Sequence, residues 1–361
     1  MASEGNLLGD SASFDQLGID RRTARSWEDG LRLPQPFVAG SWEWWYCDAH
    51  FSNGYFCVAS HHIEIDSNGI NHPFISLNIA KDGKKLCDLR IPVDADSASF
   101  SQDHCDTKLG KHFFRSIDGG MDRYHVYVDP TEARGFGVDL ILERTVPSYR
   151  PGTGRWDVDG CHFSWFCAVP GANAKGQLFV DGETVEVQGN GYHDHNWGNV
   201  PMDRILSDWL WSRAEVEGTT VVSASVRFRQ DVGGRETPLL YVARGDDILV
   251  DAFNDDVVCL EGVKIPQPDT GKHVSSDCIY LVERGDLSAS VRFDGQHTVI
   301  ASFQWANSSS NWETWYTRFP AKVTVDIRQS DGPAVRTTGS GTLENMDFFG
   351  RPTTIKQHER G

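Results

Sequence analysis

The 361-residue sequence lacks the motifs by which most enzyme classes are recognised. No apolar run approaches the roughly 20 residues of a membrane helix, and the first thirty residues have neither the basic nor the apolar region of a signal peptide. The eight cysteines form no CxxC pair, which argues against a zinc ribbon or a thioredoxin-like site. GxSxG, HExxH and glycine-rich nucleotide loops are also absent. We therefore predict a cytoplasmic protein without a membrane span, or a secreted one if a leader has been removed.

Positive charge is scarce. The chain has 51 acidic against 34 basic side chains, a formal net charge of −17. Nucleic acids and anionic membrane surfaces select for clustered lysine and arginine. We therefore predict no nucleic-acid partner, and the composition leaves the oligomeric state open.

Short segments that alternate apolar and polar residues dominate the chain, and turn signals such as Asp82-Gly83 and Asp181-Gly182 separate them. Evenly spaced segments of this kind, rich in β-branched and aromatic residues, are typical of an all-β sandwich or barrel. Long helical periodicities are scarce. We predict an all-β protein of antiparallel strands with few short helices, and clear strand segments are Tyr55–Ile65, Phe136–Leu142, Thr219–Phe228 and Lys322–Ile327.

The length fits two domains, although no low-complexity linker marks a boundary. The densest motif ends near Ala214, and a new series of strand segments begins near Thr219. We predict an N-terminal extension over 1–33 with one short helix, a first β-domain over 34–216 and a second over 217–361.

The twelve tryptophans cluster, and one cluster lies in the segment SWEWWYCDAHF, residues 41–51. Asp48 shares a strand face with aromatic rings there. A carboxyl group buried among rings without a partner has a raised pKa, which suits it to proton donation. An aspartate that ends a strand and bonds a turn would explain it as well. The strand period of two places Trp42, Trp44, Tyr46 and Asp48 on one face, and Glu43, Trp45 and Cys47 on the other.

The next segment, VASHHIEI, places Ser60, His62 and Glu64 on one strand face. Histidine and glutamate two residues apart could form a metal pair or an acid–base pair. A solvated strand face accounts for the same pattern.

The segment GNGYHDHNWGNVP, residues 189–201, is the least expected by chance. Its glycines allow close approach of the backbone, and four polar residues stand in a row between them. An aspartate beside a histidine can fix its tautomer or keep an imidazolium charged, so the pair could transfer a proton. In extended geometry His193, His195 and Trp197 point one way, and Tyr192, Asp194 and Asn196 point the other.

Downstream, Trp209, Trp211 and Arg213 alternate on one predicted strand face. They could line the same cavity as the HDHN residues, although cation–π packing would explain them without a substrate. A zinc site is a weak alternative, because HxH is a loose pattern whose third ligand would have to be His62 or Asp48.

Taken together, GNGYHDHNWGNVP, SWEWWYCDAHF, VPGANAKGQLFVDGE and GSGTLENMDF resemble the carotenoid 1,2-hydratase (hydroxyneurosporene synthase) and AttH-like superfamily. This superfamily includes kievitone hydratase, natural-product Diels–Alderases and unusual humulene-forming terpene cyclases. The resemblance implies two lipocalin-like antiparallel β-barrel domains and a hydrophobic, unsaturated small-molecule substrate held near the domain junction.

The resemblance also implies site residues. Asp194 or Asp48 would be the acid, with Asn196 beside it and with His193 and His195 orienting it or relaying protons. A polar network that merely ties the two barrels together is the alternative. The candidates for substrate binding are Glu43, Trp45, His62, Tyr192, Trp197, Trp209, Trp211 and Arg213.

The leading hypothesis for function is a cyclase of secondary metabolism that folds a polyene of isoprenoid or polyketide origin and promotes ring formation. A hydratase that adds water to an alkene is the second, and a non-catalytic lipocalin-like carrier is another. No cofactor is expected, except that a cyclase acting on farnesyl diphosphate would need Mg²⁺ with Asp194 and Asn196 as oxygen donors.

Overall fold

The computed structural model describes residues 4–268, 271–295, 298, 300–305, 312–330, 332 and 334–352. Nearly all regular structure in them is antiparallel strand, in two large curled sheets, so the predicted all-β class is confirmed. None of their helices is long and apolar enough to cross a membrane. The helices are α1, Ser11–Leu17, and the short 3-10 turns Ser26–Asp29, Ala95–Ser97, Met202–Arg204, Gln230–Val232 and Asn254–Asp256.

The first sheet has the order β5-β4-β3-β2-β13-β12-β10-β9-β8-β7-β6, and β11 joins β1 to β12 at its side. Its strands are β1 Asn6–Leu7, β2 Trp42–Phe51, β3 Tyr55–Glu64, β4 Phe74–Lys81, β5 Lys84–Pro92, β6 Ala98–Phe100, β7 Asp106–Leu109, β8 His112–Ser116, β9 Arg123–Val128, β10 Gly137–Arg144, β11 Arg155–Val158, β12 Cys161–Val180 and β13 Glu183–Gly198.

The second sheet has the order β17-β16-β15-β14-β25-β24-β22-β21-β18, with β23 paired to β24, and β19 pairs with β20 separately. Its strands are β14 Leu206–Val216, β15 Thr219–Phe228, β16 Glu236–Arg244, β17 Asp247–Phe253, β18 Val258–Glu261, β21 Asp277–Arg284, β22 Leu287–Gly295, β23 Ile300–Trp305, β24 Trp312–Arg328 and β25 Val335–Pro352, and the separate pair is β19 Lys264–Pro266 and β20 His273–Ser275.

The two strand orders correspond. In the first sheet β2 lies between β3 and β13, and in the second β14 lies between β15 and β25. Each half therefore repeats one topology, with β2 equivalent to β14 and β13 equivalent to β25.

Each sheet encloses its own apolar core, and a third core fills the space between the sheets. Trp156 of the first sheet and Phe228 and Tyr241 of the second are buried in that third core. Trp156 Nε1 donates to Thr237 Oγ1 across it at 2.7 Å. The outer faces of the two sheets are therefore packed against each other.

The chain leaves the first sheet at Gly198 and enters the second at Leu206, so β14 pairs within the second sheet. In the described part of the segment 1–33, β1 pairs with β11, and the turn Ser26–Asp29 contains the buried residues Glu28 and Asp29. No change of composition marks either feature.

Candidate active site between the two sheets

A cavity of about 440 Å³ lies between the outer faces of the two sheets. Its outer end lies at β5, where the side chain of Arg90 is 56% exposed. Eleven of its thirty lining residues are tryptophan, tyrosine or phenylalanine, and such large rings suit a hydrophobic molecule of small size. The first sheet contributes Trp42, Trp44, Tyr46 and His62, and the second contributes Trp209, Trp211, Tyr316 and Phe348.

Strand alternation decides which residues of the HDHN segment reach this cavity. β13 pairs with β2 so that Asp194 lies opposite Tyr46 and Asn196 lies opposite Trp44. All four side chains line the cavity. The glycines permit this close pairing, since a Cβ at Gly198 would lie 2.6 Å from a ring carbon of Trp42.

The carboxyl group of Asp194 is 7% exposed and has three hydrogen-bond donors. Trp165 Nε1 donates to its Oδ2 at 2.8 Å and Tyr192 Oη at 2.7 Å. Asn196 Nδ2 donates to Oδ1 at 2.7 Å, which leaves Oδ1 room for a proton.

Burial raises the pKa of Asp194 to about 6, although these donors oppose the shift. With a pKa of about 6, the carboxyl group is half protonated near pH 6 and about one-tenth protonated near pH 7. Asp194 can therefore act as a general acid toward a molecule in the cavity.

A second carboxyl group, Glu344, faces the same cavity from β25 and is 7% exposed. Its Oε2 accepts from Arg318 Nη2 at 2.7 Å and from Tyr316 Oη at 2.8 Å. Its Oε1 accepts from Trp209 Nε1 at 3.1 Å. This carboxylate is ion-paired, whereas Asp194 has no arginine partner in the part of the chain that the structure describes.

Asp48 lies away from the cavity lining and is fully buried between two guanidinium groups. Arg213 Nε donates to its Oδ1 at 2.5 Å, and Arg318 Nη1 donates to its Oδ2 at 3.2 Å. Burial would raise the pKa of Asp48, but the two positive charges outweigh burial and lower it. Asp48 therefore stays ionised and links the two sheets, and it does not have the properties of the alternative acid that the sequence suggested.

His193 and His195 point to the opposite side of β13, into the core of the first sheet. His193 Nε2 lies 3.1 Å from Asp29 Oδ2, and His195 Nε2 lies 2.7 Å from Glu43 Oε1. Trp45 stacks on His195 with ring centroids 4.7 Å apart. These side chains are outside the cavity lining, so they cannot exchange protons directly with a molecule held there.

Both ring nitrogens of His193 face acceptors, because Nδ1 lies 2.9 Å from the carbonyl oxygen of Tyr46. A ring with two acceptors must carry two protons to satisfy both. Burial disfavours that charge, but the carboxylate of Asp29 and these hydrogen bonds outweigh burial and raise the pKa of His193. The Asp29–His193 pair is thus a buried ion pair, supported by Tyr124 Oη at 2.7 Å from Asp29.

The same ion pair accounts for the metal-like grouping of Asp29, His193 and Cys105, whose ligand atoms lie within 4.8 Å of one another. Asp29 Oδ2 is already bonded by Tyr124 and His193. Burial raises the pKa of the Cys105 thiol well above its ordinary value, so it keeps its proton. The donor set does not fit a metal ion.

We expect the stability of the protein to fall at alkaline pH because of His193. A histidine whose pKa is raised on folding stabilises the fold fully below its unfolded pKa, and this contribution is lost as the pH rises through the folded pKa. Urea unfolding from pH 6 to pH 9 should therefore show a declining free energy of unfolding. His193→Gln should show a flatter dependence, and equal slopes in both proteins would contradict the ion pair.

The other predicted substrate-binding residues divide between the cavity and its surroundings. His62, Trp209 and Trp211 line the cavity. Burial lowers the pKa of His62 to about 3, so its ring is neutral, and it stacks on Phe74. The remaining residues, Glu43, Trp45, Tyr192, Trp197 and Arg213, lie behind the lining: Tyr192 and Arg213 toward the second sheet, and the others toward the core of the first.

Three charged residues of the cavity and its surroundings were not singled out from the sequence: Glu344, Arg318 and Asp29. A signal for Glu344 was present, since GTLENMDF alternates in the same way as the HDHN block. Arg318 and Asp29 carry no local pattern, and only the packing of distant segments gives them partners.

Two curated proteins are similar to this chain. The hydroxyneurosporene dehydrogenase of Chlorobaculum tepidum is 29% identical over 229 residues, covering 50% of this chain and 55% of that protein. The acyclic carotenoid 1,2-hydratase of Rubrivivax gelatinosus is 25% identical over 219 residues, covering 55% of this chain and 52% of that protein. The chain thus spans about half the length of these relatives, and no family model matches it.

Three solved structures share the fold. CghA in complex with Sch210972 has a TM-score of 0.64 at 14% identity, covering 92% of this chain and 98% of that one. The AttH-type protein of Nitrosomonas europaea has a TM-score of 0.60 at 17% identity, with 90% and 100% covered. Kievitone hydratase from Nectria haematococca has a TM-score of 0.55 at 13% identity, with 97% and 98% covered. The relatives and the fold confirm the predicted resemblance to the carotenoid 1,2-hydratase and AttH-like superfamily.

Proposed function

We propose that this chain is an enzyme that adds water across a carbon–carbon double bond of a hydrophobic, unsaturated small molecule held between the two sheets. The observation that carries the proposal is Asp194, a carboxyl group with a pKa of about 6 that faces an aromatic cavity. The names of the two curated relatives, a carotenoid hydratase and a hydroxyneurosporene dehydrogenase, support an isoprenoid substrate.

In the first step Asp194 transfers its proton to one alkene carbon and the other carbon becomes a cation. A trisubstituted double bond is the favoured target, because it gives a tertiary cation. The π faces of the Trp44 and Trp211 rings carry partial negative charge, which can stabilise the carbocation.

In the second step a water molecule forms a carbon–oxygen bond to the cation and releases one proton. Asp194 regains a proton, so the net reaction is the addition of water. Since a side chain supplies the proton, we propose that the reaction requires no metal ion.

A cyclase is the second candidate, because the indole rings on both sides of the cavity favour it. In a cyclase a second double bond of the same substrate captures the cation in place of water. Rings that hold a flexible chain in a reactive shape reduce the entropy cost of ring closure. The substrate would then need two double bonds within reach of each other.

The two candidates differ in their products. Purified protein should be incubated with a panel of acyclic carotenoids and prenylated phenols in H₂¹⁸O, with and without EDTA. We expect an alcohol that carries ¹⁸O, formed equally in both conditions. An isomer of the substrate without ¹⁸O would instead identify a cyclase, and absence of any turnover across the panel would contradict the proposal. Activity lost with EDTA would contradict the metal-free reaction.

A further inference from the structure

Three polar side-chain atoms of residues that line the cavity lack hydrogen-bond partners among the described residues: Asn78 Oδ1, Trp211 Nε1 and Thr314 Oγ1. Asn78 is only partly buried, whereas Trp211 and Thr314 are more than nine-tenths buried. An unpaired buried polar group is costly, so such groups in proteins normally serve a bound molecule or ordered water. The buried N–H of Trp211 therefore indicates a polar ligand or an ordered water molecule at its side of the cavity.

Glu344 lies directly beside Trp211. The two residues are opposite each other on β25 and β14, and side chains at such positions are close neighbours. Glu344 also occupies the position on β25 that Asp194 occupies on β13, since each lies opposite an aromatic residue, Trp211 or Tyr46, of the equivalent strand. The repeated topology thus places one carboxyl group on each side of the cavity.

We propose that Glu344 and Trp211 hold the water molecule that attacks the cation, and that Glu344 is the general base. This inference rests on the hydration reaction proposed above. Water at this site would donate one hydrogen to Glu344 Oε1 and accept one from Trp211 Nε1, which leaves its second lone pair for the cation. Buried water molecules make roughly two to four hydrogen bonds, so two protein partners are enough to hold one.

The charges of the two carboxyl groups suit a division of roles. Arg318 forms an ion pair with Glu344, with Nη2 2.7 Å from Oε2. Among the described residues no arginine forms an ion pair with Asp194, and burial raises the pKa of its carboxyl group to about 6. During the reaction the carbon–oxygen bond forms as one water O–H bond breaks, and that proton moves to Glu344. Glu344 then loses it to solvent, and solvent protonates Asp194 again.

The test separates protonation of the alkene from capture by water. In D₂O, reversible protonation by Asp194 introduces deuterium into the recovered substrate, whether or not water is captured. We expect Glu344→Gln to keep this exchange at the wild-type rate while alcohol formation falls by roughly 100-fold or more. Added formate should restore part of the lost activity, because it can replace the missing base.

Trp211→Phe provides a second test if Glu344→Gln does not fold, since it removes an unpaired N–H and retains an aromatic ring. We expect about a tenfold loss of alcohol formation with exchange retained. Glu283→Gln, an exposed position on β21, is the matched control and should change neither rate.

Two outcomes would contradict the inference about Glu344 without contradicting the proposed function. One is a folded Glu344→Gln protein that forms alcohol at the wild-type rate. The other is a folded Glu344→Gln protein that loses exchange as well, since Glu344 would then act before water capture. Absence of both exchange and alcohol in the wild-type protein would instead contradict the proposed function itself.

Discussion

Replacing Asp194 by asparagine is expected to lower turnover by about 100- to 10,000-fold, the usual range for loss of a general acid. Asparagine has nearly the same shape and can still accept from Trp165 and Tyr192, so substrate affinity should change little. The measurement is kcat and KM for alcohol formation, with ligand binding followed separately by tryptophan fluorescence.

The pH dependence provides an independent check on the same residue. Because Asp194 must be protonated and burial raises its pKa to about 6, kcat/KM should be constant below that pH and fall about tenfold per unit above it. Asp139→Asn, at a partly exposed position on β10, is the control and should keep the wild-type profile. A folded Asp194→Asn protein with full activity would show that the proton comes from elsewhere, or that the chain is a carrier.

The second large effect is expected on stability. Asp48→Asn should lower the free energy of unfolding by about 3–5 kcal/mol, the usual cost of removing one partner from a buried ion pair. Asp48 is fully buried, and its loss would leave the guanidinium groups of Arg213 and Arg318 without their shared carboxylate.

Urea unfolding at neutral pH measures this effect. Asp326→Asn is the matched control, because its arginine partners on the protein surface are more than half exposed, and its unfolding midpoint should stay close to that of the wild type. An Asp48→Asn protein as stable as the wild type would mean that the buried network contributes little beyond shape.

Strand alternation predicted much of this arrangement. It separated Asp194 and Asn196 from His193 and His195, and the structure places these pairs on opposite faces of β13. The sequence could not tell which face bordered a cavity, because both faces are buried. It therefore treated all four residues as one catalytic group.

The partners of the charged residues could not be predicted from the sequence, for a different reason. Asp48 meets Arg213 and Arg318, which lie 165 and 270 positions later in the chain. No local pattern encodes such contacts, so Asp48 resembled an unpaired acid among rings. Asp29 was missed in the same way, since the turn Ser26–Asp29 has no strand or helix periodicity.

We propose hydration ahead of cyclisation, which reverses the order expected from the sequence. The sequence favoured a cyclase because of its tryptophans. Two carboxyl groups in different environments, Asp194 hydrogen-bonded and Glu344 ion-paired, support acid–base chemistry with water more directly. The aromatic lining suits both reactions, so it does not distinguish them.

The third core, which joins the two sheets, limits how this protein could accept new substrates. Trp156, Phe228 and Tyr241 are buried there, and Asp48 is bound to arginines of the second sheet. Separating the halves to admit a bulkier molecule would break these contacts. Room for a bulkier molecule is therefore expected to come from smaller side chains in the cavity lining. Trp44 and Trp209 are the first positions to replace.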